Sequence, residues 1–144
     1  ACINRKLKQA LSSSLQPILC IGETAEEFQG KEAHAAIEKQ LTEGLQGIEP
    51  EKLKTLIVAY EPVWAIGTGL TPTKADVAER HQASRETLAA RFGAEGRNTR
   101  ILYGGSVKPE NARDLIIQPD VDGALIGGAS LKAADFLAIA AAYS

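Results

Sequence analysis

A carboxylate that leaves the end of a buried apolar run is the first candidate for chemistry in this chain. The segment Ala59-Tyr60-Glu61-Pro62-Val63-Trp64-Ala65-Ile66-Gly67-Thr68-Gly69 places Glu61 at such an end and follows it with a loop that is apolar, aromatic and glycine-bearing. Surface loops are ordinarily polar, so this one needs a reason. A lid that closes over a site uses apolar residues to exclude water around a base, which raises the base's pKa. Pro62 stiffens one hinge, and Gly67 and Gly69 leave backbone N–H groups free to approach a phosphate. The competing reading is a loop packed permanently on a neighbour, with Glu61 in an ion pair.

Two glycine turns are the second candidate. Tyr103-Gly104-Gly105-Ser106-Val107 and Ile126-Gly127-Gly128-Ala129-Ser130 each follow an apolar run. Glycines let backbone amides come close to an anion, and the start of a short helix strengthens the grip. Tight packing is the alternative explanation of a GG pair. Two such turns at successive run ends favour anion binding.

The elements that position these residues follow from periodicity. Pro17 to Gly22, Thr55 to Tyr60, Arg100 to Gly104 and Val121 to Gly127 are short and nearly continuous in apolar residues. Such runs fit strands buried on both faces, as parallel sheets require. Between them lie helical stretches. One starts at Thr24 with Glu27 three residues on, and another at Thr73 with Asp76 three residues on, both with capping-box spacing. The second of these runs to Phe92 and stops at Gly93. A further helix opens at Pro109, one starts near Ser130, and the chain begins with a helix from Asn4 to Leu15. The order α-β-α-β-α-β-α-β-α implies right-handed crossovers and parallel strands, with any site at the strands' C-terminal ends. The chain has 144 residues, against ~250 for a closed (β/α)8 barrel. It reads as one α/β domain over 1–144, either half of such a barrel or a small open sheet.

Composition narrows the partners. Apolar residues are 44% and charged residues 24%, with a formal charge of −2 and basic residues scattered among acidic ones. Nucleic acid and acidic membranes are therefore not expected. No apolar run reaches the ~20 residues of a membrane span. Cys2 and Cys20 build no disulfide framework or CxxC site and are expected as reduced thiols in a cytoplasmic protein. No metal or cofactor is expected. The start shows no signal-peptide pattern, and without a Met it reads as a cut in a longer chain.

The quoted motifs, with Ile18-Leu19-Cys20-Ile21-Gly22-Glu23-Thr24 and Asp122-Gly123-Ala124-Leu125-Ile126-Gly127-Gly128-Ala129-Ser130, resemble the C-terminal half of triosephosphate isomerase across essentially the whole chain. The resemblance implies the last four β/α units of the barrel and interconversion of glyceraldehyde 3-phosphate and dihydroxyacetone phosphate. By it, Glu61 is the general base, residues 62–70 are the lid, and Gly67, Ser106, Gly127 and Gly128 hold the phosphate. Ile66 and Leu125 clamp and dry Glu61, and Tyr103 with Ser106 holds the closed lid. Arg85 and Asp122 match a pair that ties a helix to the last strand.

The same resemblance marks what the chain lacks. The family's electrophilic histidine and its lysine belong to the N-terminal half. His34 and His81 fall within predicted helices, far from the strand ends, and Lys108 is at most a phosphate contact. Each oxyanion donor is worth about 3–4 kcal/mol, so the isolated chain is expected to be inactive. Open strand edges attract partners, and either a second copy or a complementary N-terminal half-barrel would cover them. A monomer with helices repacked over the open side is the third possibility.

Local departures point to an engineered, non-catalytic half-barrel as the alternative to an enzyme part. Ser84 lies on the stripe Val77-His81-Ser84-Leu88-Phe92, where an apolar residue would pack and contribute ~1.5–3 kcal/mol. It is tolerable there if its hydroxyl bonds back to the helix. Arg80 stands where the family tends to be apolar, and Ser12-Ser13-Ser14 replaces a turn that often holds glycine.

Overall fold

The computed structural model describes residues 2–66, 68 and 70–143. Four strands, β1 (Ile18–Ile21), β2 (Ile57–Tyr60), β3 (Arg100–Tyr103) and β4 (Gly123–Ala124), form one sheet in the order β1-β2-β3-β4. All three pairings are parallel, with Ile18 opposite Ile57, Tyr60 opposite Tyr103 and Tyr103 opposite Ala124. Consecutive strands are thus neighbours, joined by helical crossovers. This is the half-barrel arrangement of four β/α units.

Side chains alternate across the sheet. Leu19, Ile21, Val58, Tyr60, Ile101 and Tyr103 share one face and are buried against helical residues such as Ile37, Leu41, Val77 and Leu88 in one core. The opposite face is different. Ile18 is 44% exposed, Cys20 is exposed, and Ile57 and Leu102 are half-buried. The expectation of strands buried on both faces holds only for the centre of β2, because helices cover one side of the sheet. Among the described residues, β1 and β4 have no strand on their outer edges.

Helix α1 (Cys2–Ser12) buries Leu7 and Leu11 one turn apart and ends earlier than Leu15. Ser14 then takes a left-handed φ of 57°, a conformation that favours glycine. Thr24 and Glu27 form the expected capping box, but the helix they start is short. It divides into α2 (Ala25–Gln29) and α3 (Ala33–Gly44) where Lys31 turns left-handed at φ 60°. Helix α4 (Lys74–Asn98) opens on the Thr73–Asp76 box, and its first segment stops as expected at Gly93, whose φ of 58° and ψ of −126° are not helical, before a second short segment runs on. Helix α5 (Ala112–Ile116) begins three residues after Pro109, because Asn111 Oδ1 first caps the N–H of Lys108 at 2.8 Å. A 3-10 turn (Gly128–Leu131) precedes α6 (Ala133–Ala140). The paired part of β4 is shorter than expected, although Asp122 N–H and Leu125 N–H still donate to Ile101 and Tyr103 carbonyls at either end. No helix among the described residues is long and apolar enough to cross a membrane.

Ser84 is fully buried and its hydroxyl donates to the Arg80 carbonyl at 2.8 Å, the back-bond that lets a serine sit in a core. Arg85 ties the last units together. It donates to Asp122 at 2.6 Å, to Asp120 at 3.2 Å, to the Arg97 carbonyl at 2.9 Å and to the Thr99 carbonyl. Asp122 also accepts from Ile101 N–H at 2.8 Å, so the pair joins α4, β3 and the entry to β4 in a structural role.

Candidate functional site

Glu61 is held at the C-terminal end of β2 by its own backbone. Its N–H donates to the Ile21 carbonyl at 2.7 Å. Gly22 sits against it so closely that a Cβ there would lie 1.8 Å from the Glu61 carbonyl oxygen. Gln40 of α3 in turn donates to and accepts from the Gly22 backbone, both at 2.9 Å. On the other side, a Cβ on Gly104 would lie 2.5 Å from Glu61 Cγ. Glycine at 22 and 104 is what lets three strand ends meet around one carboxylate. Glu61 Oε1 accepts from the Cys20 thiol at 3.5 Å, and Glu61 makes no ion pair among the described residues. Burial, and then the Glu61 charge and hydrogen bond, push the Cys20 thiol pKa up.

The loop after Glu61 is anchored at its start and exposed beyond it. Trp64 stacks on Phe28 with ring centroids 4.4 Å apart. Its Nε1–H donates to Glu23 Oε1 at 2.9 Å, and Tyr60 O–H donates to the same oxygen at 3.0 Å. Val63 N–H reaches the Glu23 carbonyl at 3.1 Å. Glu23 is fully buried. Burial first, and then Glu23, raise the Tyr60 hydroxyl pKa far above its ordinary value. Beyond this anchor Ile66 is 52% exposed and Leu70 is also exposed, as is the side chain of Val63 within it. The sequence reading gave Glu23 no role. The available signal was a carboxylate directly after a buried strand, two positions from the Gly22 neighbour Ile21.

A cavity of about 840 Å³ opens at these strand ends. Glu61, Ile66, Ser106, Leu125, Gly127 and Gly128 all line it, so the fold brings together most of the residues singled out from the sequence. Gly67 lies outside the described residues. The two glycine turns differ in kind. A Cβ on Gly105 would lie 2.1 Å from the Tyr103 hydroxyl, whereas Gly127 and Gly128 have nothing within 4 Å of theirs and are exposed. Packing therefore accounts for glycine at 104 and 105 but not at 127 and 128. Ser130 N–H and O–H both donate to the Gly127 carbonyl, at 2.9 and 2.6 Å, which fixes the turn.

Tyr103, which the resemblance sets against the lid, lies beneath Gly105, fully buried and outside the cavity lining. Its place on the helix-facing side of β3, with Ile101, puts it there. Its hydroxyl has no partner among the described residues, and burial pushes its pKa well up. His81 is also fully buried. Its Nδ1–H donates to the Asp120 carbonyl at 3.1 Å, and burial holds its pKa down at about 4. His34 is exposed on α3. Neither histidine lines the cavity, whereas Lys108 does, together with Lys132, Glu110 and Asp135. Among the described residues no group of His, Cys, Asp and Glu is set to hold a metal ion.

The comparisons with known proteins agree with this geometry. The triosephosphate isomerase family profile matches residues 1–143. The triosephosphate isomerase of Xanthobacter flavus is 54% identical over 142 residues, covering 99% of this chain and 56% of that protein. That of Rhizobium meliloti is 52% identical over 143 residues, with 99% and 55% covered. A crystal structure of triosephosphate isomerase from Bartonella henselae superimposes with a TM-score of 0.86 at 44% identity, covering 98% of this chain and 55% of that one. The chain spans about half the length of the relatives it matches. With its sheet order, its strand-end cavity and its sequence all in agreement, the chain belongs to the triosephosphate isomerase family.

Proposed function

We propose that this chain supplies the general-base and phosphate-cradle half of a triosephosphate isomerase, which interconverts glyceraldehyde 3-phosphate and dihydroxyacetone phosphate. The observation that carries the reading is the shared cavity: Glu61 and the open Gly127–Gly128 turn face one space. In this reading Glu61 takes a proton from one carbon of the triose phosphate and returns it to the neighbouring carbon. The backbone N–H groups of Gly67, Gly127 and Gly128, with Ser106, hold the phosphate, in the manner of anion sites after the last strands of a barrel. Ile66 and Leu125 press on Glu61 and exclude water. Tyr103, beneath Gly105 with a hydroxyl that has no partner among the described residues, and Ser106 hold the lid when it is shut.

The half-site is incomplete as a catalyst. Proton abstraction leaves an enediolate whose oxygen needs donors, each worth about 3–4 kcal/mol. His81 and His34 are away from the cavity, and Lys108 and Lys132 share it with Glu110 and Asp135 as well as Glu61. The exposed face of β1 and the outer edges of β1 and β4, unpaired among the described residues, favour association, with a complementary N-terminal half-barrel or with a second copy. The first gives an enzyme part, the second a non-catalytic scaffold.

Titration with 2-phosphoglycolate, followed by amide NMR, tests the site. Shifts at Gly127, Gly128 and Ser106 are expected, and unshifted spectra refute the cradle. Turnover of glyceraldehyde 3-phosphate is expected only after the N-terminal half is added. Turnover by the pure chain that disappears in Glu61→Ala would overturn the predicted inactivity.

A further inference from the structure

We propose that Asn111 is a positioning residue for the anion seat: its side-chain amide clips the turn after β3 so that Ser106 offers the cavity its donors and not its carbonyl oxygen. Asn111 Oδ1 accepts from Lys108 N–H at 2.8 Å, and Asn111 Nδ2 donates to the Ser106 carbonyl at 3.0 Å. The reversed amide would set donor against donor and acceptor against acceptor, so the two bonds fix which way it lies. They grip the peptide groups on either side of Val107, which is buried. Neither the Ser106 carbonyl nor the Lys108 N–H has another partner among the described residues. An asparagine just before a helix ordinarily accepts from an N–H of that helix's first turn. Asn111 stands in that place before α5 but makes no such side-chain bond, because its amide is turned back onto the loop.

Ser106 lines the Glu61 cavity and Asn111 does not. The Ser106 N–H has no backbone partner among the described residues, whereas its carbonyl is occupied by Asn111. A carbonyl oxygen turned toward an anion repels it, and N–H or O–H groups attract it. Removing the Asn111 amide frees both peptides that flank Val107 and lets the Ser106 carbonyl swing. Asn111 therefore acts through Ser106 and not by touching the anion. The inference rests on the reading of Ser106, Gly127 and Gly128 as a phosphate cradle.

Amide NMR of the chain titrated with 2-phosphoglycolate, in the native form and in Asn111→Ala and Asn111→Leu, tests this. In the native chain Ser106, Gly127 and Gly128 should shift together. In both variants the Lys108 amide should exchange faster with solvent, and 2-phosphoglycolate should bind about tenfold more weakly, as for one lost hydrogen bond to a charged group. The ligand-induced shift should shrink at Ser106 and persist at Gly127 and Gly128, a local loss that a general folding defect would not produce. A full Ser106 shift with native affinity in the variants, or an equal loss at all three amides with native far-UV circular dichroism, overturns the inference and leaves the cradle standing. An unshifted Ser106 in the native chain refutes the cradle and the inference together. Leucine fills the volume of the asparagine and alanine does not, so a folding defect in one variant leaves the other decisive.

Discussion

Acid should destabilise this protein through His81 in a calculable way. The ring is fully buried and its pKa is about 4, against about 6.5 for an unperturbed histidine. Burial is the main cause, and the nearby Arg85 charge acts in the same direction. The Asp120 carbonyl and the Asp122 and Asp120 charges oppose it. A depressed histidine pKa in the fold means that the unfolded chain binds the extra proton first. Between pH 6.5 and 4 the unfolded state therefore holds more protons, and stability falls as pH falls. A gap of about 2.5 pH units, at about 1.36 kcal/mol per unit, gives a loss of about 3 kcal/mol that is complete below pH 4. That is a large share of the 5–15 kcal/mol typical of a domain. Urea unfolding at pH 7, 6, 5 and 4, on the native chain and on His81→Asn, isolates the effect. Asparagine keeps an N–H for the Asp120 carbonyl without titrating, and every carboxylate is common to both proteins. The native chain should lose about 3 kcal/mol more than the variant between pH 7 and pH 4. Parallel stability curves would show that His81 gains no proton on unfolding, and the burial argument would fail.

Two further perturbations test the placement of Glu61 and of the structural tie. Gly104→Ala puts a methyl against Glu61 Cγ and should displace the carboxylate by about 1 Å, enough to lower kcat ~100-fold once the N-terminal half is supplied. Phosphate affinity at Gly127 and Gly128 should stay unchanged, and an unaltered kcat would mean that Glu61 is not the group whose position matters. Arg85→Met removes the donor shared by Asp120, Asp122 and two carbonyls, and should cost roughly 3 kcal/mol in urea unfolding, discounted from a fully buried pair because Asp122 is partly exposed. A midpoint equal to the native one would remove the tie from the account.

The parts of the fold that were legible in the sequence depend on neighbours in the chain. Thr24 with Glu27 and Thr73 with Asp76 close their boxes within one turn, so their chemistry is visible three residues away. The break at Lys31 has no such mark, because lysine is not a residue that requests a left-handed turn. Ile18 and Cys20 were indistinguishable from core residues, since an apolar run carries no label for which of its two faces a helix covers. Tyr103 shows the same limit at the site. The alternation along β3 decides that its ring is buried on the same side as Ile101, which the motif alone does not reveal.

Space around each glycine separates the two explanations that its sequence context left open. Gly22 and Gly104 admit no side chain because Glu61 occupies that volume, and Gly105 admits none because the Tyr103 hydroxyl does. Gly22 and Gly104 explain how a carboxylate can sit at a junction of three strand ends, and all three positions are accounted for by packing alone. Gly127 and Gly128 would each accept a methyl without contact, so packing among the described residues does not account for glycine there. Exposed backbone amides at the mouth of the Glu61 cavity, left bare without a packing reason, are what an anion seat requires. Gly22 and Gly104 fix where the Glu61 carboxylate sits, and under the proposed reading Gly127 and Gly128 leave room for the anion it would act on.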